Sequence, residues 1–342
     1  MSLRDVIVVG AGPSGLATAI ALKELGLDYI VVEQGTLVDA IYRFPANMVF
    51  FTTPELLEIG GVPLTTPYEK PSKPEALRYY RKVADLFALE ISLNEQVVSV
   101  DRDGVSDPAG CDAPFVVETQ SGRNVRRARH ARAVVLAMGY YGEPNYLGVP
   151  GEDLPHVSHF YDQAHPYYRK RVVIVGGKNS ACEAALELHR NGAAHVTLVH
   201  RGPSLGDSVK YWVRPDVENR IKEGSIAARF NTRVVEIRPT EVIVDSTGES
   251  GSVSRSSLPT DAVLLLTGYH ADADFMRRAG IAINPETWEP RYSAETFETN
   301  VPNLFVAGGQ LAGNRTGTVF IENGRFHGER IAKVIAEKLR SS

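Results

Sequence analysis

Two segments of the chain share one pattern, in which an apolar strand runs directly into a glycine-rich turn. The first segment is 6–15, whose turn reads G-x-G-x-x-G, and the second is 172–181. Glycines there allow a tight turn and let the backbone approach a pyrophosphate, which the N-terminus of the following helix also favours. The sequence therefore predicts an α/β protein with two Rossmann-like dinucleotide-binding domains.

The residues that end the next apolar run differ in charge between the two segments. The run 29–32 ends at Glu33, whereas the run 196–199 ends at His200 and Arg201. A carboxylate at that position accepts hydrogen bonds from a free ribose hydroxyl, and a cationic group there suits a 2′-phosphate. The first domain is therefore predicted to bind FAD and the second to bind NADPH.

The two fingerprints are not equally complete. All three glycines are present in the first turn, whereas Lys178 and Ala181 take the middle and last glycine positions of the second. A duplicated fold that has lost its ligand therefore stays open as an alternative for the second turn. Lys210 and Arg220 could also reach the phosphate, although a solvated surface charge is the commoner role for such residues.

Further strands and helices indicate how the domains follow one another along the chain. The strands 133–137 and 262–266 both run into an x-Gly-Tyr sequence, which we interpret as the crossing points between the domains. The prediction is a discontinuous FAD domain, 1–140 and 275–342, with an NADPH domain, 141–274, inserted. The other predicted elements are helices at 14–25, 75–87, 180–190 and 318–339, strands at 96–100 and 115–119, and a surface loop at 54–74. Gly324 and Gly328, four residues apart, indicate that the last helix closely approaches a neighbour.

Composition excludes several other classes. The 342 residues carry a net charge of −4 and no basic excess, which argues against a nucleic-acid partner. We find neither a leader-like segment nor an apolar run that could span a membrane, so a cytoplasmic protein is expected. Cys111 and Cys182 form no C-x-x-C, and both are interpreted as structural thiols. The nearby His156, His159 and His165 are interpreted as loop histidines, and no metal site is predicted.

These motifs resemble the low-molecular-weight thioredoxin reductase-like flavoproteins, and within them the YpdA group of bacillithiol disulfide reductases. The resemblance runs nearly end to end. It is carried by the G-x-G-P-x-G opening and by the segments 41–42, 50–51, 139–142, 164–167, 176–181, 268–270, 320–324 and 326–328. The G-G-K-N-S-A and F-I-E-N-G-x-F-H-G sequences among them are far more specific than a Rossmann fingerprint.

The resemblance implies a thioredoxin reductase-like two-domain flavoprotein that takes electrons from NADPH. Its acceptor would be a low-molecular-weight disulfide or a small redox protein, and the chain would be a homo-oligomer. The implied FAD residues are Gly10, Gly12, Pro13, Ser14, Gly15, Glu33, Gln34, Asn47, Thr52, Val98, Gly139, Gly308 and Thr318. The implied NADPH residues are Gly176, Gly177, Lys178, Asn179, Ser180, Ala181, His200, Arg201, Lys210 and Gly268. A last helix beginning near Thr318 would direct its N-terminus at the flavin.

The chain departs from the family pattern in two places. Thioredoxin reductases carry a C-x-x-C that this chain lacks, and YpdA proteins place a cysteine where this chain has Ser14. Ser14 is thus the candidate catalytic residue, although a serine cannot become a thiolate or form a mixed disulfide. Three alternatives stay open: a flavin monooxygenase-like enzyme, a ferredoxin–NADP reductase-like enzyme, and a non-enzymatic redox sensor that binds NADPH and FAD.

Overall fold

The computed structural model describes residues 3–102, 113–248 and 250–341, so Cys111 lies outside the described residues. The chain divides into two compact units. The first comprises Met1–Phe44, Met48–Glu143 and Tyr269–Ser342, and the second comprises Pro45–Asn47 and Pro144–Gly268. The sequence suggested boundaries at 140 and 275. No sequence signal indicates that the short segment Pro45–Asn47 goes with the second unit.

The described chain contains strands of two to eleven residues. In chain order they are β1 (Leu3–Val9), β2 (Tyr29–Val32), β3 (Ile91–Ser92), β4 (Glu95–Arg102), β5 (Phe115–Ser121), β6 (Arg126–Leu136), β7 (Val157–Ser158), β8 (Arg171–Val175), β9 (His195–Val199), β10 (Ala227–Arg229), β11 (Thr232–Ile237), β12 (Glu241–Thr247), β13 (Val253–Pro259), β14 (Ala262–Leu265) and β15 (Leu304–Val306).

The helices follow the glycine turns and the capping signals of the sequence. In chain order they are α1 (Pro13–Glu24), α2 (Asp39–Tyr42), α3 (Lys73–Leu86), α4 (Asn179–Arg190), α5 (Arg214–Lys222), α6 (Ala273–Arg278), α7 (Ile321–Gly324) and α8 (His327–Ser341). Short 3₁₀ helices lie at Pro54–Leu56, His165–Tyr167 and Gly308–Ala312. None of the helices described here is long and apolar enough to cross a membrane.

The first unit is built on a sheet with the strand order β3-β2-β1-β6-β5-β4. The long strand β6 pairs with the antiparallel β5 along its first half and with the parallel β15 along its second half. Alternate residues of β1 enter different cores, since Val6 and Val8 pack with α1 and α8 while Ile7 and Val9 pack on the opposite face. A parallel strand covered on both faces is continuously apolar for this reason.

The second unit repeats this design with a smaller parallel sheet in the order β10-β9-β8-β14-β7. Val172 and Ile174 of β8 pack with α4, whereas Val173 and Val175 pack on the other face with the antiparallel sheet β11-β12-β13. The two α/β sheets confirm the predicted fold class. The antiparallel sheet was not predicted.

Two predicted elements differ in the structure. The single helix expected from about 318 to 339 is instead two helices, of which α7 begins at Ile321 and α8 at His327. An orientation of the first N-terminus toward the flavin stays a prediction. The predicted surface loop at 54–74 is exposed or half-buried along most of its length, but part of it packs into the core of the first unit. Leu57 and Ile59 are buried, and the Tyr79 hydroxyl accepts a hydrogen bond from the backbone N–H of Ile59 at 2.8 Å.

Candidate functional site

The first glycine turn joins β1 to α1 through two positions where a side chain would not fit. Gly10 has φ +103°, and a Cβ there would lie 2.5 Å from the carbonyl oxygen of Ala137. A Cβ on Gly15 would lie 1.9 Å from the carbonyl oxygen of Gly10. α1 begins at Pro13, directly after Gly12. The N–H groups of its first turn have no intrahelical acceptor, so this turn can bind an anion.

Glu33 ties the glycine turn to the segment after β2. Its Oε2 accepts a hydrogen bond from the backbone N–H of Ala11 at 2.7 Å, and its Oε1 accepts one from Gly35 at 3.0 Å. The side chain is buried, and this burial raises the pKa of the carboxyl group. A carboxylate has about four acceptor sites, so lone pairs remain for a ribose hydroxyl.

A cavity of about 370 Å³ opens beside Glu33 in the first unit. It brings together five of the predicted FAD residues, which are Gly10, Glu33, Gln34, Val98 and Gly139. The wall also contains residues that were not predicted, among them Gln96, Met138, Tyr140, Glu143, Asp272 and Arg278. The strands β1, β6 and β15 end at this edge of the sheet. Ligands of open α/β sheets bind at the carboxyl ends of their strands, so the cavity lies where a protein of this fold binds its ligand.

Ser14 lies on the first turn of α1, against the carboxy-terminal part of the chain. Its Oγ lies 2.5 Å from the position of a Cβ on Gly308 and 3.0 Å from that on Gly324. A Cβ on Gly328 would lie 2.5 Å from the backbone of Thr18. The close approach predicted from Gly324 and Gly328 is therefore confirmed, and its partner is α1.

His327 fixes the segment that faces Ser14. Its Nδ1 accepts a hydrogen bond from the backbone N–H of Gly308 at 3.1 Å, and its ring stacks on Phe297 with centroids 4.3 Å apart. Burial lowers the pKa of His327 to about 4. The imidazole is therefore neutral at physiological pH and acts as an acceptor. The F-H-G sequence drew attention to this residue without indicating that role.

Eight predicted FAD residues do not line the Glu33 cavity, and three of them, Asn47, Thr52 and Thr318, lie outside both the glycine turn and the segment facing Ser14. Asn47 belongs to the second unit, where its Nδ2 donates to Oε1 of Glu187 at 2.9 Å. Thr52 is buried, and the hydroxyl of Thr318 donates to the carbonyl of Arg315 at 3.1 Å. Contact of these three residues with FAD stays a prediction.

The second glycine turn has the same local geometry as the first. Gly176 has φ +153°, and a Cβ there would lie 2.5 Å from the carbonyl oxygen of Leu266 and 2.9 Å from Cβ of Ala181. Ala181 therefore has to be small because the turn is crowded, and Gly15 lacks a side chain in the first turn for the same reason. Gly268 also has a positive φ, +92°, just after β14.

His200 does not carry the charge that the sequence suggested. Its ring covers Gly177, where a Cβ would lie 2.5 Å from Nδ1. Burial, together with the neighbouring charges of Arg201 and Lys178, lowers the pKa of His200 below its usual value. His200 is therefore neutral at physiological pH, and the exposed Arg201 is the cation at this position.

Asn179 and Lys210 hold a loop over the start of α4. The Nδ2 of Asn179 donates to the carbonyl of Ser208 at 3.0 Å, and its Oδ1 accepts from the N–H of Lys210 at 2.7 Å. The Nζ of Lys210 is buried and pairs with Glu183 at 2.5 Å. The expectation that Lys210 is a solvated charge is therefore wrong. Asn179 is the first residue of α4, so these bonds hold the loop at the N-terminus of that helix.

The remaining candidate groups have structural environments. Arg220 forms ion pairs with Asp216 of its own helix and with Glu223, the residue that follows that helix. Cys182 is fully buried, and burial raises the pKa of its thiol to about 12, which confirms a packing role. Within residues 3–102, 113–248 and 250–341, no three His, Cys, Asp or Glu side chains lie close enough together to hold a metal ion. His156, His159 and His165 therefore do not form such a group.

Comparison with known proteins gives matches over almost the whole chain. A family model for pyridine nucleotide-disulphide oxidoreductases matches residues 7–308. The bacilliredoxin reductase Bdr of Bacillus subtilis (strain 168) is 40% identical over 338 residues, which are 99% of each chain. The structure of bacillithiol disulfide reductase Bdr (YpdA) from Bacillus cereus has a TM-score of 0.92 at 39% identity, covering 98% of this chain and 100% of that one. The Staphylococcus aureus protein of the same name has a TM-score of 0.90 at 36% identity, with 99% of each chain covered.

Proposed function

Because the chain belongs to the pyridine nucleotide-disulphide oxidoreductase family, we propose that it reduces the disulfide of a low-molecular-weight thiol of the bacillithiol type. It is an FAD-containing oxidoreductase that uses NADPH. The overall reaction consumes NADPH, one proton and one disulfide, and gives NADP⁺ and two thiols. The flavin supplies the hydride and electron chemistry when bound, and the protein supplies binding and orientation.

The observation that supports FAD binding by the first unit is the cavity at the carboxyl ends of β1, β6 and β15, and the similarity to Bdr over the whole chain supports the disulfide as acceptor. The buried carboxylate of Glu33 lines one side of this cavity, and Gly10 has no side chain that would block the turn. We assign the adenosine half of FAD to this cavity. Its pyrophosphate would lie at the first turn of α1, whose free N–H groups attract negative charge.

The second unit is assigned to NADPH. Arg201 is exposed at the end of β9 and can form two charge-assisted bonds with a 2′-phosphate. Neutral His200 lies over Gly177 and shapes the wall beside it. Asn179 keeps the loop 202–210 at the N-terminus of α4 and thereby limits the opening that a pyrophosphate would enter.

The disulfide step has to proceed without the cysteine pair of thioredoxin reductases. Cys182 is sealed in the core of its unit, so it cannot exchange with a disulfide. Ser14 lies between Gly308 and Gly324 and can donate a hydrogen bond to a sulfur atom. We propose that electrons reach the disulfide without a covalent intermediate on Ser14 or Cys182. A cytoplasmic location and a homo-oligomeric state are further parts of the proposal.

Rapid mixing tests the function. The protein is reduced with NADPH under anaerobic conditions and then mixed with bacillithiol disulfide, oxidised ferredoxin, a quinone or oxygen, while flavin absorbance is followed. We expect the disulfide to reoxidise the flavin fastest and to yield two thiols per NADPH. Cys182→Ala serves as the control and should react at the same rate. Faster reaction with ferredoxin, or with oxygen coupled to hydroxylation of a substrate, would contradict the proposal, and no turnover with any acceptor would favour a sensor.

A further inference from the structure

Arg278 is an exposed cation at the carboxyl end of α6, and it lines the Glu33 cavity. Its guanidinium lies over the ring of Phe275, 5.7 Å from the ring centroid, and Phe275 lines the same cavity. Within the described ranges of the chain, this guanidinium forms neither a hydrogen bond nor an ion pair. Because a guanidinium is planar, each of its two sides can stack on an aromatic group. Phe275 occupies one side, so the other side stays open to a ligand.

The contacts of the cavity wall show in which order its parts follow one another. Gly10 lines the end at the first glycine turn, which Glu33 adjoins through its bond to the N–H of Ala11. The backbone carbonyl of Glu33 accepts a hydrogen bond from the N–H of Glu95, the first residue of β4, at 2.9 Å. Phe275 of α6 packs in one core with Val97 of β4. The order is therefore glycine turn, Glu33, β4 and α6.

This order indicates which part of FAD would meet Arg278. With the pyrophosphate at the first turn of α1 and the ribose at Glu33, the adenine extends from the ribose toward β4 and α6. The charges of the wall agree with this placement. Asp272, the N-cap of α6, lines the cavity together with Glu143, whose pKa is raised by burial and by the charge of Asp272. Carboxylates repel a phosphate group, whereas the neutral adenine is not excluded.

We propose that Arg278 binds the adenine of FAD, which stacks on the open side of its guanidinium. Phe275 then forms the other layer of the stack and holds the guanidinium in place. Arginine attracts the face of a base through its flat, cationic group, so both the plane and the charge contribute. The FAD residues implied by the family resemblance include none on α6. The inference rests on the assignment of the adenosine half of FAD to this cavity and is independent of which disulfide the enzyme reduces.

The test measures FAD affinity rather than turnover. Apoprotein is prepared from the full chain by removing FAD, and binding is followed by the change in flavin fluorescence for the parent and three variants at position 278. We expect Arg278→Ala to bind FAD roughly 5-fold more weakly. Arg278→Tyr keeps a flat group that can stack on adenine, so it should restore most of the affinity. Arg278→Lys keeps the charge without the plane and should restore little.

Arg277→Ala is the matched control. Arg277 precedes Arg278 on α6, is exposed and pairs with Asp274, but it is not among the residues that line the cavity. This variant should leave FAD affinity unchanged, and the melting temperatures of all the apoproteins should agree because both arginines are exposed.

Four results would overturn the proposal. Two of them are an unchanged FAD affinity in Arg278→Ala and an equal loss of affinity in Arg277→Ala. Restoration by lysine would indicate a contact with a phosphate, and failure of tyrosine to restore affinity would indicate donated hydrogen bonds in place of stacking. If Glu33→Gln also left FAD affinity unchanged, the assignment of the adenosine half of FAD to the cavity would fail, and not this inference alone.

Discussion

Replacing Glu33 by glutamine should weaken both the glycine turn and its hold on FAD. The carboxylate accepts one backbone N–H with each oxygen, from Ala11 at 2.7 Å and from Gly35 at 3.0 Å. Glutamine has a single side-chain oxygen, so its NH₂ group must face one of these two donors. Losing a hydrogen bond to a charged acceptor costs about 1.5–3 kcal/mol. Glutamine avoids the burial of charge that raises the pKa of Glu33, so the net loss should be near the lower end of that range, about 1.5–2 kcal/mol.

The effect on FAD should be larger than the effect on the fold. The ribose hydroxyl loses a charged acceptor, and we expect Glu33→Gln to bind FAD roughly 10- to 100-fold more weakly. Isothermal titration of apoprotein gives the affinity, and urea unfolding of the same apoprotein gives the stability. Glu69→Gln, at an exposed carboxylate of the same unit, is the matched control. Lower stability with unchanged FAD affinity would refute the ribose contact and leave Glu33 a purely structural role.

Three further changes test other parts of the molecule. Arg201→Ala should erase most of the preference for NADPH over NADH, roughly 10- to 100-fold in the ratio of kcat/KM values. An unchanged ratio would indicate that the second turn binds NAD or has lost its ligand. Ser14→Cys should gain a mixed disulfide detectable by mass spectrometry and faster reoxidation of reduced flavin by disulfides, and the absence of both would contradict the placement of Ser14 beside the reaction. Burial raises the pKa of Glu95, but hydrogen bonds from Arg129, Ser92 and Thr119 outweigh it and lower the pKa to about 2. The stability that this carboxylate contributes is therefore complete above about pH 4.5 and is lost as pH falls toward 2. Over that range, the urea midpoint of Glu95→Gln should change less than the midpoint of the parent protein.

The parts of the fold that could be predicted are those whose signal is local. Gly10, Gly15 and Gly176 each stand where a Cβ would meet a backbone or neighbouring atom, so the residue type is dictated by its immediate surroundings. The apolar strands around them follow from burial on both faces of a parallel sheet. Strand, turn and helix could therefore be predicted at both fingerprints.

The rest depends on contacts between residues far apart in sequence. Asp272, which caps α6, and Arg278, its last residue, line the Glu33 cavity, and no local pattern links that helix to β1. Lys210 carries the charge of a surface residue, yet its partner Glu183 lies on another element and allows its burial. A charge pattern read along the chain cannot distinguish a solvated lysine from a paired one.

Residues 14 and 182 are the two described positions at which a reactive thiol could be sought. The sequence has a serine rather than a cysteine at position 14 and contains no C-x-x-C. Whether Cys182 could replace them depends on its surroundings, and its complete burial with a pKa raised to about 12 excludes it as a nucleophile. Within the described residues, Ser14 instead lies against Gly308, whose N–H is held by His327. Under the proposed function, a disulfide at this position would meet a hydroxyl and a fixed backbone rather than a described thiol, and Cys111 lies outside the described residues.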